Sequence, residues 1–144
     1  LSRGRMLSEA GLPVPTAYLK APNAVNDSHL GYSLSISGDA LATGAFGESS
    51  CSKIISDTAA TDNDCFEAGA VYMHTYNGTA WVFTAYLKSP NAESGDRFGY
   101  SVSLFSDSLA VGAYKEKSCS TSVSAIAPAP CWYCRWSACS SRVP

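Results

Sequence analysis

Charge, histidine and long apolar runs are scarce in this sequence. Only 15% of its 144 residues are charged and the net charge is −2, whereas binding to nucleic acid needs clustered lysine and arginine. No window approaches the roughly 20 apolar residues that span a bilayer, so we expect neither a nucleic-acid partner nor a membrane span in this stretch. Only His29 and His74 offer an imidazole base, and no glycine-rich phosphate loop opens a helix.

Helix-forming residues are also few. Serine, threonine, glycine, alanine and tyrosine dominate instead, a composition typical of β structure.

The sequence contains an internal repeat. Residues 16–48 return as residues 84–116 with a constant offset of 68 residues, no insertion, and 18 identities in 33 pairs. A period of this length is typical of units that bury their hydrophobic faces by stacking on copies of themselves. We therefore expect a repeat architecture of which this chain holds about two units.

The strand pattern within one period indicates two hairpins. Over 30–45, apolar residues alternate with serines before a Ser-Gly-Asp turn, and Leu41, Thr43 and Ala45 occupy every second position after it, which predicts a hairpin. Because Gly38 becomes Ser106 in the copy, we expect a type I turn without positive φ. A second hairpin is predicted over 70–88 around Asn77-Gly78. Four antiparallel strands in one period are the number found in a β-propeller blade.

The first two of the six cysteines enclose a polar loop. Cys51 and Cys65 lie within residues 47–68, a connection that is long for a compact domain unless it is stapled, and we expect a disulfide between them. Such bonds persist in oxidising compartments, so an extracellular or cell-surface location is expected. Cys119 lies 68 residues after Cys51 and would begin the same device in the second unit.

The pattern breaks down in residues 118–144. A copy of the second hairpin is missing there, and we interpret the segment as an irregular cysteine-rich tail, with a frameshifted reading frame as the leading explanation. A disulfide-rich cap and a zinc site are the alternatives. The zinc ligands would be Cys119, Cys131, Cys134 and Cys139, which include one C-x-x-C pair but no second pair.

Two short motifs recur at equivalent positions of the repeat. A Phe-Gly or Leu-Gly pair precedes the first strand, and a Gly-Ala pair followed by an aromatic residue ends the second strand. In these motifs residues 16–118 resemble the FG-GAP repeat family, the blades of integrin α-subunit propellers and of secreted bacterial propeller proteins. The motif residues are Leu30, Gly31, Gly44 and Ala45 in the first copy and Phe98, Gly99, Gly112 and Ala113 in the second.

The resemblance implies an all-β fold, namely a fragment of about one and a half blades from a seven-bladed, integrin-like β-propeller with four-stranded antiparallel blades. Residues 1–15 would be the divergent or damaged end of a preceding blade, and 16–29 a leading strand, over 17–20, with a linker. A complete blade would occupy 30–88, the first half of the next blade 89–117, and the tail 118–144.

Some members of the family bind calcium in a loop between the first two strands of a blade. Here those strands are joined only by the turn at Gly38, which is too short to supply the roughly six to eight oxygens that calcium needs. Asp57, Asp62 and Asp64 lie on the long loop but lack the glycine and the distal glutamate of a dedicated calcium loop. No cofactor is therefore expected, with calcium at these three aspartates as the weaker alternative.

Two further patterns are weak. The runs beginning at Gly31 and Gly99 read Gly-Tyr-Ser, like the start of a nucleophile elbow, but they lack its closing glycine and lie in predicted strands. Asn26 and Asn77 begin N-glycosylation sequons in predicted turns. Catalysis therefore has little support, and glycosylation depends on the host.

The resemblance implies a non-enzymatic binding or adhesion module at the cell surface or outside the cell, with ligand contacts made by loops. Its partners would be further blades of the same chain and an extracellular protein or glycan that the sequence does not name. Two alternatives stay open: a propeller domain accessory to a secreted hydrolase, and a structural repeat array on a cell envelope.

Overall fold

The computed structural model describes residues 17–118, and this part of the chain consists of strands and turns without a helix. The expected all-β class is therefore confirmed. The predictions for residues 1–15, and for the tail after Ser118, lie outside the described residues. The strands described are β1 Ser33–Ser37, β2 Ala40–Ala45, β3 Ile55–Ser56, β4 Ala70–Tyr76, β5 Trp81–Leu87, β6 Phe98–Phe105 and β7 Ser108–Ala113.

The first sheet is a five-stranded antiparallel sheet in the order β1-β2-β4-β5-β3. Strands β1, β2, β4 and β5 form a simple meander, which confirms the predicted four-stranded antiparallel unit. The sequence did not predict β3, a two-residue strand within the long loop that pairs with the outer edge of β5 through Ile55 and Leu87. Residues 30–88, which contain this sheet, are called the first unit below.

The second sheet contains β6 and β7, which pair antiparallel and correspond to β1 and β2 after the 68-residue offset. Residues 89–117, which contain this hairpin and the linker before it, are called the second unit. A single parallel bridge between Gly69 and Phe98 connects the two sheets.

The predicted strand over 17–20 is absent, since these residues lie outside both sheets. Of their counterparts 85–88, residues 85–87 belong to β5, where β4 and β3 supply backbone partners. The residues equivalent to β4 are 2–8, outside the described part of the chain. Without a partner strand in that part, the backbone groups of 17–20 have no ladder to join.

The turn between β1 and β2 differs from the expected type I turn. Ser37 pairs with Ala40, so the loop has two residues, and φ is positive at the first of them, Gly38 (+56°). Its counterpart Ser106 also has positive φ (+50°). Positive φ at the first loop residue alone is the pattern of a type II′ turn, whose twist matches that of the flanking strands. The required twist therefore overrides the poor fit of serine to this region.

The two units meet where β6 crosses β1, β2 and β4, a contact called the joint below. At the joint a methyl group on Gly44 would overlap the carbonyl oxygen of Gly99, and one on Gly99 would overlap the carbonyl oxygen of Ala70. Gly99 also has a φ of +83°, a conformation that glycine adopts readily. The second glycine of one repeat thus lies against the first glycine of the next.

Serine side chains of β1 fasten the joint. Ser33 Oγ donates a hydrogen bond to the carbonyl oxygen of Gly99 at 2.8 Å. Ser35 Oγ accepts from the backbone N–H of Leu104 at 3.0 Å, and Ser37 Oγ accepts from that of Ser106 at 3.1 Å. These three serines, called the serine ladder below, replace the strand-to-strand hydrogen bonds that a continuous sheet would have.

The apolar positions of β1 lie on the opposite face from the serine ladder. Leu34 and Ile36 are 64% and 58% exposed, whereas their counterparts Val102 and Leu104 in β6 are partly buried at the joint. Within the described part of the chain, this apolar face is therefore uncovered on the first unit, whereas the equivalent face of the second unit is partly buried.

The buried core of the first unit is small and built mainly of alanine and tyrosine. Tyr72 and Tyr86 are its largest side chains, with ring centroids 5.4 Å apart, and Ala21, Ala45 and Ala70 pack against them. Among residues 17–118 there is no helix of the length and apolarity needed to cross a membrane.

Candidate functional site

Loops gather at one end of the first unit, called the loop end, opposite the tight hairpin turns. The long loop 47–68 and the linker 88–97 meet there, joined by a backbone hydrogen bond of 2.8 Å from Gly95 N–H to the Phe66 carbonyl. The segment before β1 joins them through Gly47 N–H and the Ser28 carbonyl. Segments from three connections are thus fixed into one surface.

A disulfide between Cys51 and Cys65 staples the long loop, as the sequence predicted. The backbone supports the same closure, since Cys65 N–H donates to the Ser49 carbonyl at 2.8 Å. On the inner side, Ser50 is fully buried. The long loop is therefore tied to the sheet and has a defined conformation.

The aspartates proposed as weak metal ligands are not gathered around one point. Asp62 accepts hydrogen bonds from the Ser50 hydroxyl and the Cys51 N–H, both at 2.7 Å. The bond from the Cys51 N–H is the main cause that lowers the pKa of the Asp62 carboxyl. Asp57 and Asp64 are exposed. Over residues 17–118 no group of three or more His, Cys, Asp or Glu is arranged to hold a metal ion, and Asp62 instead anchors the loop.

A buried ion pair lies beneath the stapled loop. Lys88 Nζ donates to Glu48 Oε2 at 2.6 Å, and the two side chains are 0% and 1% exposed. The other oxygen, Glu48 Oε1, accepts from the Ser50 N–H at 3.1 Å and from Asn23 Nδ2 at 3.4 Å. Taking two charges out of water costs several kcal/mol for each ion, so both oxygens of this carboxylate need the partners that they have.

Two tyrosines complete this group, called the polar cluster below. Tyr72 Oη donates to Asn23 Oδ1 at 2.6 Å, and Tyr86 Oη is buried without a hydrogen-bond partner. Burial, and then the negative charge of Glu48, raises the pKa of both phenols above its ordinary value. Both therefore remain neutral at physiological pH.

The sequence contained a signal for the polar cluster that the hydrophobic pattern did not reveal. Three of its polar residues are identical in the two copies of the repeat, whereas residues 25–30 all differ from their counterparts 93–98. In the second unit Asn91 Nδ2 donates to Glu116 Oε1 at 2.9 Å, the same contact as between Asn23 and Glu48. The identical pairs are Lys20 and Lys88, Asn23 and Asn91, and Glu48 and Glu116.

An aromatic row crosses the joint at the loop end. The rings of Phe46, Tyr32, Tyr100 and Tyr114 follow one another at centroid distances of 4.6–4.9 Å, and the hydroxyls of Tyr32 and Tyr100 are hydrogen-bonded at 2.8 Å. Arg97 lies over Phe46 and Tyr114 and pairs with Glu67. The row contains equivalent residues of both repeats.

The repeat motifs occupy structural positions. Gly44 and Gly99 meet at the joint, and Ala45 is fully buried in the core. Leu30 packs against that core, and Gly31 N–H donates to the Gly44 carbonyl at 3.1 Å. In the second unit, Phe98 pairs with Ala113, and Gly112 pairs with Ser101.

The asparagines of both sequons are exposed, whereas Ser28 of the first sequon is buried. Asn26 lies in an exposed turn. Asn77 is also exposed, in the turn between β4 and β5, where its Oδ1 accepts hydrogen bonds from the N–H groups of Thr79 and Ala80. Glycosylation at either asparagine stays a prediction.

The weak catalytic candidates have structural partners. Ser33 is engaged in the serine ladder, and His29 stacks on Phe46 with centroids 4.6 Å apart. His74 is buried beside Phe83. None of the contacts of Ser33 joins it to a histidine in the described residues.

A family model described as the FG-GAP repeat matches residues 81–125. The match confirms the resemblance inferred from the motifs and, with the antiparallel strands, the interpretation as part of a β-propeller. The number of blades stays a prediction. Comparison with curated proteins found no match, and comparison with solved structures found none either.

Proposed function

The chain contains the FG-GAP repeat, and from that premise we propose that it forms part of an extracellular or cell-surface β-propeller that binds a protein or glycan ligand without catalysing a reaction. The propeller supplies a rigid frame. The loop end, with the stapled loop 47–68, supplies the ligand-binding surface.

The joint supports the first part of this proposal. The second unit covers one face of the first unit through backbone contact at Gly44 and through the serine ladder. The second unit makes this contact with the face of β6 that contains Val102 and Leu104. The same face of the first unit, at Leu34 and Ile36 of β1, is exposed. A preceding blade that used the same contacts would cover it, so further blades of the same chain are the expected partners.

The observation that carries the binding proposal is the apolar surface of the stapled loop. Ile54, Ile55 and Phe66 are 62–72% exposed on a loop that the disulfide and the Asp62 anchor hold in place. Exposed apolar side chains on a rigid loop suit a binding surface, because little conformational entropy is lost when a ligand docks. The disulfide also favours an oxidising compartment.

The engagement of Ser33 and His74 in structural contacts supports a non-enzymatic role. The hydroxyl of Ser33 is needed at the joint, and His74 lies within the unit rather than at the loop end. These structural roles are equally compatible with the alternative in which the propeller accompanies a hydrolase domain elsewhere in a longer chain.

An array of immobilised extracellular-matrix proteins and glycans tests the proposal. The 144-residue chain should bind a subset of spots, and the triple variant Ile54→Ser, Ile55→Ser, Phe66→Ser should lose that binding. Phe105→Ser is the matched control, because Phe105 is 82% exposed beside the hairpin turn of the second unit. Equal binding by both variants, or binding to no spot, would contradict the assignment of the loop end.

A further inference from the structure

We propose that Lys88 and Asn23 are joined by an intramolecular isopeptide bond, formed with Glu48 as the group that moves the protons. This link would connect the residue after β5 to the segment that precedes β1, and so join the two segments of chain at either end of the four-stranded meander. It is a covalent modification that goes beyond the proposed binding function and does not depend on it.

The geometry brings the two reacting groups to one carboxylate. Lys88 Nζ lies 2.6 Å from Glu48 Oε2, and Asn23 Nδ2 lies 3.4 Å from Glu48 Oε1. The amine and the amide therefore contact the two oxygens of one carboxylate, and attack requires that the amine leave its oxygen and move to the amide carbon. Holding reactants in this way replaces a bimolecular encounter by a short movement.

The nucleophile must be the neutral amine, and the site favours it. Lys88 is buried, and burial lowers the pKa of its ammonium group, although the charge of Glu48 opposes this effect. Transfer of one proton from Lys88 Nζ to Glu48 over their 2.6 Å contact turns two buried charges into two neutral groups. Such a transfer removes the desolvation cost of the ion pair.

The electrophile is polarised by a fixed donor. Tyr72 Oη donates to Asn23 Oδ1 at 2.6 Å, and Asn23 Nδ2 donates to the Ala60 carbonyl at 2.6 Å. Tyr72 is fully buried, and burial raises the pKa of its phenol, so the proton stays available. A preorganised donor at the oxygen where negative charge develops stabilises the tetrahedral intermediate.

The reaction balances without a further reactant. The lone pair of Lys88 Nζ forms a bond to Asn23 Cγ, and the Cγ–Oδ1 double bond opens to an oxyanion held by Tyr72. Glu48 delivers the proton first taken from Lys88 to Asn23 Nδ2 and then takes a second proton from the attacking nitrogen. The Cγ–Nδ2 bond breaks, the carbonyl re-forms, and the released ammonia takes this second proton from Glu48. The products are a secondary amide, ammonium and an unchanged Glu48 carboxylate.

The second unit provides an internal control. Asn91 and Glu116 repeat the contact of Asn23 and Glu48, at 2.9 Å, but no lysine is hydrogen-bonded to Glu116 among residues 17–118. The chemistry is therefore expected at Asn23 alone.

Peptide mapping of the purified 144-residue chain, unfolded and reduced before digestion, tests the proposal. We expect a branched peptide that joins the segment with Asn23 to the segment with Lys88, lighter than the two separate peptides by one ammonia, and no tryptic cleavage after Lys88. Intact mass alone does not suffice, because Asn77-Gly78 can also lose ammonia by closing a succinimide. The mapping is therefore repeated on Asn77→Gln, which should retain the branched peptide.

Two variants test whether the link needs Glu48 and whether it is confined to Asn23. Glu48→Gln preserves size and hydrogen bonding to Lys88 but cannot move protons, so the branched peptide should disappear while the unit still folds. Asn91→Ala should retain it. A wild-type chain whose Asn23 and Lys88 peptides are wholly unlinked would overturn the proposal, and so would an undiminished branched peptide in folded Glu48→Gln.

Discussion

Gly44 of the first unit lies directly beneath the carbonyl group of Gly99 of the second, so close that a methyl group on Gly44 would overlap the Gly99 oxygen. The contact explains why glycine stands inside β2, where it otherwise weakens strand pairing. At this point backbone approaches backbone, with no side chain between Gly44 and the carbonyl oxygen of Gly99.

Gly44→Ala should therefore destabilise the chain by about 1–3 kcal/mol, the usual cost of overpacking, because the obstructing atom belongs to the backbone. Gly112→Ala is the matched comparison. Its added methyl group would meet mainly the Ser101 hydroxyl, which can rotate away, so the cost should be smaller. Urea unfolding of both variants measures the difference, and equal losses would show that the joint does not constrain position 44.

Removal of the disulfide should cost about 3 kcal/mol on the chain-entropy model for a loop of this size; Cys51 and Cys65 are 14 residues apart. The double variant Cys51→Ser, Cys65→Ser should also lose the pairing of Ile55 with Leu87, because the staple holds β3 in place. Urea unfolding gives the stability, and amide exchange at Ile55 reports the pairing. Unchanged exchange would indicate that β3 forms without the staple.

His74 should make stability fall in mild acid. Burial lowers the pKa of this imidazole in the folded chain, so the unfolded chain, with a pKa of about 6.5, binds the proton more readily. The contribution is complete above about pH 6.5 and is lost as the pH falls toward the folded value, by at most about 1.4 kcal/mol per pH unit.

Thermal unfolding of wild type and His74→Gln between neutral and mildly acidic pH measures this contribution as a difference in slope. Asp96 has the opposite dependence on pH, because burial raises the pKa of its carboxyl. Its contribution to the stability of the folded chain is complete below about pH 3.8 and is lost as the pH rises above that value. Parallel curves for the two proteins would exclude His74 as the source of acid sensitivity.

The turns at Gly38 and Ser106 are equivalent, and exchanging these two residue types should change the stability of the chain in opposite directions. Positive φ costs an L-residue about 1–2 kcal/mol relative to the right-handed conformation, so Ser106→Gly should stabilise by up to about 1 kcal/mol after the greater chain entropy of glycine is included. Gly38→Ser should destabilise by a similar amount. Differential scanning calorimetry of both variants checks the prediction, and a loss of stability in Ser106→Gly would contradict it.

The exposed face of β1 should make the isolated chain self-associate, because uncovered apolar patches and strand edges promote association. Leu34→Ser with Ile36→Ser should shift the chain toward monomer in sedimentation velocity. Val82→Ser is the control, since Val82 is also exposed but lies in β5, away from the joint. A wild-type chain that sediments as a monomer at high concentration would refute this expectation.

Most of the first unit was predictable because local patterns determine it. The 68-residue repeat, the alternation over 30–45 and the Asn77-Gly78 pair located the strands and turns, and the spacing of Cys51 and Cys65 indicated the disulfide. These signals depend on neighbouring residues or on an exact copy, and both are visible in a sequence.

The rest depended on partners that are distant in the chain. The turn type at Ser106 follows from the twist of the paired strands and from the Ser37 hydroxyl of the other unit. The ion pair of Glu48 and Lys88 unites residues 40 positions apart, and only their identity in both copies hinted at a shared role. The strand expected over 17–20 failed for the same reason, since a strand requires a partner as well as a suitable sequence.

The serine ladder has an evolutionary consequence. Ser33, Ser35 and Ser37 reach the backbone of the next unit rather than its side chains. Every repeat offers the same backbone groups, whatever residues it contains. A unit can therefore be duplicated, exchanged or substituted at its other positions without losing its fit to its neighbour, so that loops with different surfaces can be selected on a frame that stays constant.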